Sequence, residues 1–113
     1  IELYYRIPTA SEIQGFLSRM IQRKGNKIKM NVADARLEYG LRILTGFREG
    51  DFGIDGKPIS SDPSSANYRE DWKEILKENA PDVIMLLAAT VFEGARVARE
   101  DDNIEFEEEV PPL

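Results

Sequence analysis

The stretch IELYYRIPTASEIQGFLSRMIQRKGN, Ile1 to Asn26, changes its hydrophobic period once, and that change sets the fold class. Ile1 to Ile7 is rich in β-branched and aromatic residues and stops at Pro8, which predicts a strand. Thr9-Ala-Ser-Glu12 then reads as a capping box. The Thr hydroxyl reaches the Glu12 amide, and the Glu12 carboxylate returns to the Thr amide. Behind it Ile13, Phe16, Leu17, Met20 and Ile21 lay one apolar stripe along a helix. That helix is expected to end near Lys24-Gly25-Asn26, with basic residues at its C-terminal dipole and glycine as the stop.

Further along, Asn31 is placed to cap a second helix with Asp34 in its first turn. Ala33, Leu37, Gly40, Leu41 and Leu44 form its expected buried face, and Gly46 closes it. Gly40 costs helix stability relative to Ala, so it marks a close approach by a neighbouring helix. Asn67-Tyr-Arg-Glu70 resembles another capping box, followed by Tyr68, Trp72, Ile75 and Leu76 on one face of a third helix. Pro81 suits the first position of a fourth helix running to about Arg99. Its front half is apolar all round, as a central core helix would be. The expected fold is therefore α+β, mostly α: about four helices with an N-terminal strand and a small β-hairpin. Residues 1–99 form one helix-rich domain, and residues 100–113, acidic and ending in Pro111-Pro112-Leu113, form a mobile tail.

The hairpin is expected in REGDFGIDGKPISSD, Arg48 to Asp62. Asp51-Phe52-Gly53 matches the magnesium-binding tripeptide of protein kinases, but their Gly-rich loop, lysine strand and catalytic loop are missing. Asp51 also opens a partial calcium loop with Asp55 and Gly56. Gly53 brings no oxygen there, Asp62 is too short for the bidentate position, and Pro58 removes an amide. Asp55-Gly56 between Phe52-Gly-Ile54 and Lys57-Pro-Ile59 suits a type I′ turn, with Pro58 confining its arm to a sheet edge. The segment is a turn, and no metal site is expected.

The 113 residues carry a net charge of −6, unevenly spread. Residues 1–50 hold nine Lys/Arg and five Asp/Glu, a balance of +4; residues 51–113 hold six and sixteen, a balance of −10. Glu100 to Leu113 contains seven acids and no base. An acidic chain gains little from phosphate neutralisation, so nucleic-acid binding is not expected despite Arg19, Arg23, Lys24, Lys27 and Lys29. The basic segment and the acidic tail are either solvated independently or form a salt-sensitive latch in which the tail folds over the basic turn and competes with a partner. The apolar run Val83 to Phe92 is about half a membrane span, and no Cys or His is present. A soluble, cytoplasmic domain is expected, with no membrane contact.

Catalytic chemistry finds little support. Without Cys and His, thiol nucleophiles and the commonest general base are missing. Ser60, Ser61, Ser64 and Ser65 occupy a Pro-containing, flexible loop with nothing to activate them. Glu70, Glu74 and Glu78 with Lys73 and Lys77 read as a solvated, salt-bridged helix face. Glu93 could pair with Arg96. No enzyme activity and no cofactor are expected.

The motifs YYRIPTASEIQGFL, TGFREGDFGIDGKPIS and NYREDWKEIL, spanning roughly residues 3–97, resemble small phage and prophage tail proteins of the tail-assembly-chaperone kind. That resemblance implies a non-enzymatic assembly protein made in the host cytoplasm, binding the tape-measure protein and tending to homo-oligomerise. Tyr39, Ile43 and Phe47, at i, i+4 and i+8, form a second stripe on the second helix and are the candidate partner-binding residues; the alternative is that they pack inside the monomer. Two other functions stay open: a phage structural or connector protein retained in the particle, and a small metal-dependent enzyme using Glu93 and the Asp51–Asp62 loop.

Overall fold

The computed structural model describes residues 1–94, and it has the α+β, mostly α architecture expected from the sequence. The acidic tail, the expected break at residue 99 and the Glu93–Arg96 pairing lie outside the described residues. Strand β1 (Leu3–Tyr5) ends before Pro8 and pairs antiparallel with β4 (Leu44–Phe47), Leu3 facing Phe47 and Tyr4 facing Gly46.

Helix α1 (Ala10–Met20) starts on the capping box. The Glu12 amide donates to Thr9 Oγ1 (3.1 Å), and the Thr9 amide donates to Glu12 Oε1 (3.0 Å). Arg6 adds a fork onto the same carboxylate, with both hydrogen bonds at 2.7 Å. These donors, Arg6 first and the Thr9 amide next, lower the Glu12 pKa to about 2. Arg6 also anchors its surroundings: its amide donates to the Ile43 carbonyl (2.9 Å) and its guanidinium to the Arg42 carbonyl (3.2 Å).

The first helix does not reach Lys24. It stops at Met20, and the chain forms a ribbon of β2 (Ile21–Lys24) and β3 (Lys27–Met30). Gly25 takes φ 61°, the left-handed conformation a tight reversal needs, so the glycine is a hairpin turn rather than a helix stop. Two short strands whose residues alternate in matched register here outweigh the helix propensity of Gln22, Arg23 and Lys24.

Helix α2 (Val32–Ile43) follows at once. Asn31 occupies its N-cap position, but its side chain donates to Gln22 Oε1 (2.9 Å) instead of capping the helix. The buried face is Ala35, Tyr39, Gly40 and Ile43; Ala33 is exposed, and Leu37 and Leu41 are half-buried. Gly46 does not close the helix. The backbone turns extended at Leu44 because pairing with β1 claims Leu44 to Phe47. Two cations from distant segments satisfy the last turn, Arg6 on the Arg42 carbonyl and Lys73 Nζ on the Leu41 carbonyl (2.8 Å), as the negative end of a helix dipole favours.

The hairpin of β5 (Gly53–Ile54) and β6 (Lys57–Pro58) turns at Asp55 (φ 52°) and Gly56 (φ 77°), both left-handed as the Asp-Gly pair predicts. Helix α3 (Trp72–Asn79) starts four residues later than Asn67 suggests. Asn67 and Tyr68 are tied back to Ser60 by a Ser60 amide to Asn67 carbonyl bond (2.9 Å) and a parallel bridge. Helix α4 (Pro81–Ala88) begins with Pro81 in its first turn and continues as a π-helical turn, Ala89–Glu93.

Its position against α2 explains Gly40. A Cβ there would lie 2.6 Å from the Ile84 carbonyl oxygen, so only glycine allows the two helices to close. The core centres on three rings. Phe16 stacks on Phe92 at 4.7 Å and 19°, and Tyr39 meets each edge-on at 5.8 Å. Such pairs each add about 0.5–1.5 kcal/mol beyond the area they bury.

Candidate protein-interaction surface

Tyr39, Ile43 and Phe47 do not form an exposed stripe. Tyr39 retains 7% of its accessible surface, Ile43 none and Phe47 3%. Phe47 lies on β4, not on the helix, and contacts Phe52 and Trp72 edge-on. The three residues are core, which withdraws them as a surface that a partner could meet on the folded molecule. The physical reason is that α2 is covered on this face by both α1 and α4, so its second apolar stripe is its packing stripe.

The residues that are exposed lie in the ribbon. All ten residues from Ile21 to Met30 are exposed, including Ile21 (48%), Ile28 (59%) and Met30 (58%). Residues opposite each other in an antiparallel pair point to the same side. The register Ile21–Met30, Gln22–Lys29, Arg23–Ile28, Lys24–Lys27 therefore puts Ile21, Ile28, Met30 and Arg23 on one face. Gln22, Lys24, Lys27 and Lys29 occupy the other. One side is a small apolar patch and the other a lysine cluster, with Lys24 directly across from Lys27. Like charges so placed destabilise an isolated ribbon.

Among the described residues, none of Arg23, Lys24, Lys27 and Lys29 has an ion-pair partner; the six pairs found lie elsewhere. Among the described residues, hydrogen bonds tie the ribbon to the body at its base, by the Asn31 amide to Met20 carbonyl bond (2.8 Å) and the Asn31–Gln22 side-chain bond. Among the described residues no further strand pairs with either long edge, which leaves backbone hydrogen-bonding groups open, the feature used when a partner chain adds as a further strand.

A second apolar feature is a groove of about 460 Å³ between the segment after β1, α1 and the π-helical turn. Ile7, Pro8, Ile13, Leu17 and Val91 line it, with Tyr5 at its edge. It offers less polar chemistry than the ribbon: among the described residues its polar groups are on Tyr5, Gln14 and Thr90, and no charged side chain lines it.

The carboxylates singled out for chemistry have structural partners. Glu93 accepts a two-pronged bond from Arg36 on α2 (2.8 and 2.9 Å). Asp51 accepts from the Glu2 amide (2.7 Å) and from Arg48 (2.9 Å), and both bonds hold its carboxyl below the usual range, the Glu2 amide first. Asp62 accepts from the amide and hydroxyl of Ser64.

The serine loop is not free either. Ser60 is buried and accepts from the Asp62 amide, while the Phe47 amide donates to Ser61 Oγ at 3.1 Å. Lys73, expected on a solvated salt-bridged face, is half-buried against Trp72 and the end of α2, where burial lowers its pKa.

No protein-family model, curated protein or solved structure matches this chain. Among the described residues no helix is long and apolar enough to cross a membrane, and no group of three or more metal-ligating side chains converges.

Proposed function

We propose that the protein is a non-enzymatic binding module that captures an extended segment of another protein along the β2–β3 ribbon. The observation that carries this reading is the ribbon itself: ten exposed residues, with an apolar face and a cationic face that has no ion-pair partner among the described residues. Its occupant is a segment in which acids alternate with apolar residues, so that one side chain set covers Ile21, Ile28 and Met30 while the other neutralises Lys24, Lys27 and Lys29. Backbone bonds along the edge supply affinity, and the two faces supply register.

The resemblance of Tyr4 to Leu17 and of Thr45 to Ser60 to tail-assembly-chaperone-like phage proteins suggests where that segment belongs: in a tail protein such as the tape measure, bound during assembly in the host cell. Tagged full-length chain, expressed in cells carrying its own locus, tests this by pull-down and mass spectrometry. Capture of a long tail protein by the native chain, lost in Ile28→Glu with Met30→Glu while melting is unchanged, is the expected result. Capture that ignores those substitutions, or capture of particle proteins alone, overturns the assignment to the ribbon and favours a structural component retained in the particle.

A further inference from the structure

We propose that the acidic C-terminal segment of the chain docks along the β2–β3 ribbon of its own molecule and competes there with the partner segment. The inference rests on the ribbon being the docking element and names its regulator. Three observations carry it.

The first is charge. The ribbon holds Arg23, Lys24, Lys27 and Lys29 with no acid between Ile21 and Met30, whereas Glu100 to Leu113 holds seven acids with no base. The second is pattern. In Asn103-Ile-Glu-Phe-Glu107 the apolar Ile104 and Phe106 alternate with Glu105 and Glu107. Extended beside the ribbon, such a segment sets its apolar pair against Ile21, Ile28 and Met30 and its acids against the lysine face, relieving the Lys24–Lys27 repulsion.

The third is reach. The Arg36–Glu93 bond pins the end of the π-helical turn to the second turn of α2, the helix that leaves the base of the ribbon. From Val32, two residues past the ribbon, to Arg36 the helix rises about 6 Å. The ten residues from Gly94 to Asn103 can span about 30 Å when extended. A second copy's ribbon fits the same site poorly, since pairing two of them would bring together two unneutralised lysine faces.

Amide hydrogen exchange on the purified full-length chain tests the proposal without any partner present. Exchange in residues 103–107 is expected to be slowed at least about tenfold relative to an unstructured peptide at low salt, and to approach the free rate in about 1 M salt. Lys24→Glu, Lys27→Glu and Lys29→Glu together should remove the protection while leaving the melting temperature unchanged, because all three side chains are exposed. Adding Glu105→Lys and Glu107→Lys to that variant should restore it.

Three results overturn the proposal: no protection, protection that survives the lysine substitutions, or protection that falls on dilution, which would assign the segment to a second copy. Capture of a partner by a chain whose tail is unprotected would sink the tail docking alone. A protected tail with no partner captured would sink the partner reading alone.

Discussion

Phe16 and Ile21 belong to one apolar stripe in the sequence and end in opposite environments. Phe16, on α1, is buried between Tyr39 and Phe92, while Ile21 begins a ribbon that leaves about half of it exposed. The dividing point is Met20, where α1 runs out of neighbouring helix. Upstream of it the stripe faces α2 and the turn after α4; downstream no element of the described residues stands opposite. An apolar stripe is thus not a unit of burial, because burial depends on whether a second surface faces each residue. The core and the ribbon use similar residue types for different ends, the one for cohesion and the other for contact.

Substitutions that introduce charge should separate the two regions most widely. Ile43→Asp puts a carboxylate at a fully buried site, where an unpaired charge costs about 4 kcal/mol or more. The variant, alone or with Tyr39→Asp, is expected to lose its cooperative thermal transition; retention of native-like melting would return these residues to the surface. Next comes Gly40→Ala. Its methyl group must displace the Ile84 backbone, a cost of about 1–3 kcal/mol set against a gain of up to about 1 kcal/mol in helix propensity. Chemical denaturation should show net destabilisation.

Glu12→Gln removes a charged fork and weakens a cap, with an expected loss of about 1 kcal/mol at neutral pH. The folded pKa of Glu12 is depressed to about 2, so its contribution is complete above the ordinary carboxylate range and is lost as pH falls through about 2. The gap in denaturation midpoint between the native chain and Glu12→Gln should therefore narrow steadily from pH 5 towards pH 2, taken as about the limits of that titration. The smallest effect belongs to the ribbon: Ile28→Glu with Met30→Glu should change stability by no more than about 0.5 kcal/mol. A large loss there would mean that the ribbon packs on the body after all.

Local chemistry was legible wherever a signal and its structure lie within a few residues. The Thr9–Glu12 box, the Asp55-Gly56 turn, Pro81 opening a helix and the close approach at Gly40 all belong to this class. The ribbon was missed because Gln22, Arg23 and Lys24 favour helix and Met20-Ile21 continue the helical stripe. The signal that could have found it is the turn at Gly25-Asn26 flanked by Ile21 and by the alternating Ile28-Lys29-Met30. The buried face of α2 was misread because Leu37 and Leu41 are as apolar as Tyr39 and Ile43, and only the positions of α1 and α4 choose between them. Arg36 as the partner of Glu93, and Arg6 and Lys73 at the end of α2, join residues far apart in the chain, and nothing in the sequence pairs them.

The β1–β4 pairing has a consequence for the order in which the molecule can be completed. Leu3 finds its partner only at Phe47, after α1, the ribbon and α2 have all been made. A ribosome extending this chain exposes Leu3, Tyr4 and Tyr5 well before the strand that receives them, whereas the α1 cap can form as soon as Glu12 is free. The N-terminal strand is thus a late arrival on a framework of local helices, since distant pairings must wait for loop closure. Until Phe47 emerges, the nascent protein carries an unpaired strand edge beside an apolar helix.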